Sequence, residues 1–345
     1  MARNAPKPHT LDLALQGGGA HGAFTWGVLD RLLEHPGIVV GAVSGASAGA
    51  LNAAVLVSGL ANGGPVEAST RLASFWKAVN QSARQTTVLP FLEAFPAAFQ
   101  TADMLWSMVS AGGISVTPSP RLGRMAQGIL RDVVDAHVDF DAIRSPQAPQ
   151  IFVSATNARS GAPRIFRNDD LSIDALLASA CLPMNFPPVT IDGEDYWDGG
   201  YSANPPILPV VQESACSDLL LVTVNPVTRK DTPRAMNEIP GRISELMFNL
   251  SLVKELRGLS LLKEDMGAWQ VFGSGLIRAI RDLRLHEIYD EETMSKVDPR
   301  SKMTPGWELL THLHEAGHTA ADRWIDICSG DLGKRSTARI AERYF

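Results

Sequence analysis

Four short apolar runs frame this chain: residues 11–16 (LDLALQ), 38–43 (IVVGAV), 151–155 (IFVSA) and 219–224 (LLLVTV). Near-continuous runs of this length predict strands buried on both faces, the pattern of a parallel sheet. Each of the first two is followed by a glycine turn and then by a segment of helical composition. Residues 11–60 therefore spell strand, glycine loop, helix, strand, sharp turn, helix. Parallel strands need such crossovers, so the order predicts βαβ units.

A second pattern has helical spacing. Leu122, Met125, Ile129, Leu130 and Val133 predict an amphipathic helix with Ser119 as N-cap and Pro120 at its first position. Ile243, Leu246, Met247, Leu250, Val253 and Leu256 predict another, packed through that stripe, with Arg242, Glu245, Lys254, Glu255 and Arg257 balanced on the polar side. Leu309, Leu310, Leu313, Ala316, Ala320 and Trp324 predict a third over residues 307–327. Between the second and third strand runs, residues 61–150 form an insertion. Its stretches 88–92, 95–99, 104–106 and 108–109 are rich in Phe, Met, Leu and Trp. It is expected to cap the sheet, or to act as a lid whose apolar side chains meet acyl chains or a lipid surface. The expected organisation is a flexible tail (1–9), a main α/β domain (10–226) carrying the cap (61–150), and a helical extension (227–345) packed on the same domain.

Composition narrows the setting. A hydrophobic fraction of 45% against 20% charged residues is that of a folded protein with a buried core. A net charge of -6 without a basic run argues against nucleic acid as a partner. The longest apolar stretch, 50–60, falls far short of the roughly 20 residues of a membrane-spanning helix, and Asn52 and Ser58 interrupt it. Residues 1–10 hold no apolar core of a Sec-type signal. Cys181, Cys216 and Cys328 are odd in number and scattered, which fits a reducing compartment, so cytoplasm is the expected location.

The chemistry sits in the glycine turns. Gly45-Ala46-Ser47-Ala48-Gly49 follows the second strand and opens a long Ala/Leu helix, which is the setting of a nucleophile elbow. Its glycines let strand and helix approach, and Ser47 Oγ is pushed out at the helix N-terminus. Gly17-Gly18-Gly19-Ala20-His21-Gly22 follows the first strand. Consecutive glycines there can turn their N–H groups toward one point and form an oxyanion hole. The same loop matches G-x-G-x-x-G, but residues 38–44 hold no Asp or Glu for a ribose, and Ser47 occupies that place instead. No nucleotide or other cofactor is expected. A serine needs a base, and the residues alone leave a choice: Asp198 in Tyr196-Trp197-Asp198-Gly199-Gly200, or Asp192, Glu194 and Asp195 in a polar hairpin that has the look of turn chemistry.

In that order along the chain, Gly17–Gly22, Gly45–Gly49 and Asp198-Gly199-Gly200 resemble the motifs of the patatin-like phospholipases. So does Ala178-Ser179-Ala180-Cys181-Leu182-Pro183 with Phe186-Pro187-Pro188. The resemblance spans residues 11–226. It implies a three-layer α/β/α fold related to the α/β-hydrolases, with a mostly parallel central sheet, the helical cap insertion and the C-terminal helices. It also implies a Ser–Asp dyad: Ser47 as nucleophile, Asp198 as base, and the Gly17, Gly18 and Gly19 N–H groups as oxyanion donors. Gly22, Gly45, Gly49, Gly199 and Gly200 would support these motifs. The chain departs from the family at His21, where Arg or Lys is usual. A fixed positive charge there is replaced by a titratable one. The implied activity is serine lipid acyl hydrolysis of the phospholipase A, lysophospholipase or carboxylesterase type, on a lipid or other acyl ester, free or at a membrane or micelle interface, with no metal.

Three rival readings accompany this one. A Ser–Asp–His triad would draw on His286, His312, His314 or His318. His314-Glu315-Ala316-Gly317-His318 matches the H-E-x-x-H of zinc metallohydrolases, although no third ligand follows a recognisable pattern. A patatin-like scaffold that binds lipid or regulates a partner without catalysis is the third. Acyl transfer to an alcohol would use the same acyl-enzyme as hydrolysis.

Overall fold

A computed structural model of the chain describes residues 8–85, 120–236, 238–266 and 275–345. The four apolar runs all lie in one sheet, as β1 (His9–Leu15), β2 (Ile38–Gly45), β3 (Gln150–Asn157) and β7 (Asp218–Val222). The sheet also holds β4 (Pro163–Phe166), β5 (Val189–Ile191), β6 (Glu194–Asp198) and β8 (Arg284–Ile288). Its hydrogen-bonded order is β5-β6-β3-β2-β1-β7-β8, with β4 on β3. The β3, β2, β1, β7 and β8 strands run parallel, while β4 and β6 pair antiparallel with opposite edges of β3 and β5 pairs antiparallel with β6.

Period-two alternation divides the core in two. Leu11, Leu13 and Leu15 of β1, Ile151 and Val153 of β3, and Leu220 and Val222 of β7 face one cluster. Ala14, Phe152, Leu219 and Leu221 face the other. The first cluster is covered by α1 (Gly22–Leu33), α2 (Ala48–Gln85), α3 (Pro120–His137), α4 (Ile173–Ser179) and the C-terminal α6 (Trp307–Cys328). The second is covered by α5 (Ile239–Asp265) and the short helices Leu208–Glu213 and Gly275–Asp282. Helix, sheet and helix make the three layers.

The helix after Ser47 is longer than its composition predicts. It continues to Gln85 through a kink at Gly64 (φ 75), which stands before Pro65. Its second half buries Leu72, Phe75 and Trp76, and α3 buries Val133 and Val134, so these parts of the 61–150 insertion belong to the main core. Met125 of the predicted α3 stripe is 46% exposed, and Pro120 does open the helix. Stretches 88–92, 95–99, 104–106 and 108–109, and Ser119, lie outside the described residues.

The α5 stripe holds in the second half of the helix, where Leu256 is buried and Val253 packs on the core, but comes out reversed in the first half. Ile243, Leu246, Met247 and Leu250 are 44–52% exposed, whereas Glu245, Phe248 and Asn249 are buried. The cause is polar. Glu245 accepts from Arg229 and Arg242, while Asn249 accepts from Gln16 Nε2 at 2.8 Å and donates to the Pro226 carbonyl at 2.9 Å. These buried groups need partners, and in the first half of α5 that need outweighs the burial of four aliphatic side chains.

The α1–α6 crossing depends on two glycines. A Cβ at Gly27 would stand 1.9 Å from the His314 carbonyl oxygen, and one at Gly317 would stand 2.0 Å from that of Phe24. Both obstacles are backbone and cannot rotate away. Gly27→Ala is expected to destabilise the fold by about 2 kcal/mol or more despite alanine's better helix propensity. A denaturant midpoint unchanged from wild type would show that the crossing is looser than this.

Candidate active site

Ser47 stands between β2 and α2 with φ 54, a left-handed conformation that costs energy for any residue but glycine. Close packing of the turn holds it there. A Cβ on Gly45 would meet the Gly49 carbonyl at 2.5 Å, and one on Gly49 would meet the Leu15 oxygen at 2.1 Å. The Ser47 N–H donates to Ser179 Oγ at 3.0 Å, and the Ser47 carbonyl accepts from Leu51 in the first turn of α2. The hydroxyl therefore sits at a helix N-terminus, where the peptide dipoles favour negative charge.

The β3 strand brings the acid to the serine. Val153 pairs with Gly45 of β2 and with Phe166 of β4, so β2 and β4 flank opposite edges of β3. Two residues on, Ala155 pairs with Arg164 of β4 and with Asp198 of β6. The β6 strand thus continues the edge that β2 has just left. Asp198 is delivered one pleat repeat, about 7 Å of strand, beyond Gly45. Its N–H donates to the Cys181 carbonyl at 2.8 Å, and its Oδ1 accepts from the Gly200 N–H at 2.7 Å.

Asp198 is fully buried, and among the described residues its Oδ2 has no hydrogen-bond partner. Burial pushes its pKa up to about 7, against the opposing effects of the Gly200 N–H and the Ser47 hydroxyl. The Ser47 hydroxyl lies close enough to Asp198 to lower its pKa, without closing a hydrogen bond to Oδ2. The rival carboxylates are engaged at the surface: Asp192 with Arg164, Glu194 with Arg159, and Asp195 with Thr190 Oγ1 at 2.6 Å. Asp192 and Gly193 both have positive φ, as in a primed hairpin turn.

The glycine loop borders the elbow. A Cβ on Gly17 would stand 2.8 Å from Ser47 Cβ, and one on Gly22 the same distance from Ala48 Cβ. Gly19 has φ 58, and a Cβ there would strike the Lys302 carbonyl at 2.4 Å. Gly17 is not free as an oxyanion donor, because its N–H donates to Asn204 Oδ1 at 2.7 Å. Among the described residues, the Gly18 and Gly19 N–H groups make no hydrogen bond with another protein group. Of the three expected donors, Gly18 and Gly19 are the two whose N–H groups remain free.

A family model described as patatin-like phospholipase matches residues 13–211, more than half of the chain. The chain belongs to the patatin-like phospholipase family. Solved structures resemble it weakly in sequence. VipD from Legionella pneumophila is 16% identical, with a TM-score of 0.39, over 91% of this chain and 68% of that one. ExoU of Pseudomonas aeruginosa, solved with SpcU, is 14% identical, with a TM-score of 0.28, over 98% of this chain and 77% of that one. Among curated proteins no match is found.

Within this patatin-like chain, His21 does not replace the usual cation. Burial, and next the nearby Lys302 charge, lower its pKa to about 3, so the imidazole is neutral at ordinary pH. Its Nε2 pairs with Ser301 Oγ at 2.8 Å. Gly199 and Gly200 are also tight spots, where a Cβ would meet the Ser154 oxygen at 2.1 Å and the Phe248 ring at 2.4 Å.

Several supporting residues carry no signal of their own in the sequence. Asn204 ties Gly17 to the Phe248 carbonyl of α5, at 2.9 Å. Gln16 Oε1 accepts from the Val224 and Asn225 N–H groups, and Asn225 Nδ2 donates to the Gly17 carbonyl. The 178–183 motif has a physical role: Ser179 holds the elbow and Cys181 holds the acid. Cys181 itself is a buried thiol with its pKa pushed up to about 12, chiefly by burial, so it is inert. The histidines are engaged elsewhere. His286 is bonded to Asp218 and Thr337, His314 to Asp30 at 2.8 Å, and His318 to Glu34 at 3.3 Å. His312 lies on a surface hollow with Thr293 and Asp298. Among the described residues, no three His, Cys, Asp or Glu side chains converge as a metal site.

Proposed function

We propose that this chain is a serine lipid acyl hydrolase working through a Ser47–Asp198 dyad. One observation carries the reading: a fully buried carboxylate with an unpartnered oxygen lies beside a serine held in a strained elbow. Family membership supports lipid ester hydrolysis in general. As Ser47 Oγ bonds to the ester carbonyl carbon, Asp198 Oδ2 takes the hydroxyl proton. The Gly18 and Gly19 N–H groups, at the entry to α1, receive the oxyanion. Collapse breaks the carbon–oxygen bond to the leaving alcohol, which takes the proton from Asp198. Water then attacks the acyl-enzyme with Asp198 again as base, and the fatty acid leaves.

Asp198 binds its proton up to about pH 7, so it is a far better match to a serine alcohol than an exposed carboxylate is. The hydrolase is tested by incubation with a fluorophosphonate probe and, separately, with phosphatidylcholine and p-nitrophenyl esters, all with EDTA present. Labelling confined to Ser47, with chelator-insensitive fatty-acid release, is the expected result. Activity lost to EDTA and restored by zinc would move the chemistry to His314 and His318. Absence of both labelling and turnover would favour a non-catalytic scaffold.

A further inference from the structure

Lys302 is a buried cation that the dyad mechanism does not use. It belongs to the turn Pro299–Met303, outside the span matched by the family model. The residue is partly exposed, but its ammonium is buried and has no hydrogen-bond partner among the described residues. A lysine side chain reaches water easily, and an unpaired ammonium inside a protein is costly, so its position calls for a reason.

Two contacts locate it. The Lys302 carbonyl lies against Gly19, 2.4 Å from where a Cβ would stand. Nζ lies 5.8 Å from the centre of the Phe248 ring. The edge of that ring packs on Gly200, and Asp198 Oδ1 lies 2.9 Å from the Cβ position of Gly200. Lys302 thus borders the glycine loop with its backbone, and its ammonium lies by the Phe248 ring that packs on Gly200, close enough for its charge to lower the His21 pKa.

The surrounding charge is positive on balance. Glu245 of α5 is the nearby carboxylate, and it is already shared between Arg229 and Arg242. Asp298, on the lysine's own turn, is held by Arg300. His21, on the glycine loop, is neutral. The cationic excess beside the loop is therefore carried by side chains from the far end of the chain, while the loop position that usually holds Arg or Lys in this family holds His21.

We propose that Lys302, from the C-terminal segment of the same chain, supplies the positive charge beside the glycine loop that His21 does not provide. It acts as a positioning residue through the electric field rather than by touching substrate. The field favours the oxyanion forming at Gly18 and Gly19. Burial lowers the Lys302 pKa to about 8, with Arg229 pushing the same way and Glu245 opposing. The charge is present below that pH and fades above it.

The inference rests on the hydrolase reading, and the test separates the two. Full-length wild type, Lys302→Met, Lys302→Arg and Ser47→Ala are assayed on p-nitrophenyl butyrate, a neutral ester, from pH 5 to 10. Lys302→Met is expected to lose tenfold to a hundredfold in kcat with KM within twofold, and Lys302→Arg to recover most of that loss. Wild type should show a falling alkaline limb near pH 8 that is absent from Lys302→Arg, because a guanidinium stays charged throughout. A Met variant with wild-type kcat would overturn the assignment, and so would an alkaline limb unmoved in the Arg variant. The latter readout stands even if Lys302→Met fails to fold. Absence of Ser47-dependent turnover in wild type would overturn the hydrolase reading and this inference together.

Discussion

Ser47→Ala is expected to abolish ester hydrolysis while leaving the fold intact. In the proposed mechanism this hydroxyl forms the acyl-enzyme, and removal of a nucleophile of this kind costs roughly 10⁴–10⁶ in kcat. What remains would be the background from the oxyanion donors acting on bound water. Stability should not suffer. Ser47 is held by its backbone, through its N–H to Ser179 and its carbonyl to Leu51, and alanine keeps both contacts. The left-handed φ of 54 is no harder for alanine than for serine. Retained turnover above one part in a hundred, with an unchanged melting curve, would place the nucleophile elsewhere.

Asp198→Asn carries the second large expectation, and it runs in opposite directions for activity and stability. Activity should fall roughly 10³–10⁴-fold, since the amide cannot accept the serine proton and no histidine is placed to replace it. Wild-type kcat/KM should rise with pH through about 7 as Asp198 ionises. Stability behaves otherwise. The folded pKa of about 7 lies above the ordinary 3.8, so the native state holds a proton that the unfolded chain releases. Native stability therefore declines as pH climbs from about 4 to 7, and the full penalty persists above 7. Three pH units correspond to on the order of 4 kcal/mol. Asparagine bears no charge and keeps an oxygen for the Gly200 N–H. At pH 8 the variant should unfold at higher denaturant than wild type, and at pH 4 the two should converge. A variant less stable than wild type at pH 8 would mean that Asp198 is held by contacts other than those described.

The strands and the elbow were legible because their signals are local. A run such as LLLVTV is buried on both faces wherever it sits, and a serine between glycines after a strand has few other uses. Asp198 was legible only through family resemblance. Its proximity to Ser47 arises from the shared edge of β3, a relation between residues far apart in sequence. The α5 helix misled for an instructive reason. Its aliphatic stripe is genuine, but the face turned inward is chosen by Glu245 and Asn249, whose partners Arg229 and Gln16 have no helical period linking them. Gly17 looked like an oxyanion donor until Asn204, 187 positions away, was seen to accept its N–H. Hydrogen bonds over such separations leave no pattern in one sequence.

The place of β1 in the sheet also has a bearing on how the chain is made. Asp12 pairs with Leu219, so β1 leaves the ribosome more than 200 residues ahead of one of its two neighbours. At about 5–20 residues per second, that interval lasts roughly 10–40 s. During it, β1 and β2 can pair, but the other side of β1 stays an open edge able to recruit another chain. Completion of the sheet around β1 thus waits for synthesis of β7, and the nascent chain, more than the finished protein, exposes an edge that a chaperone would shield.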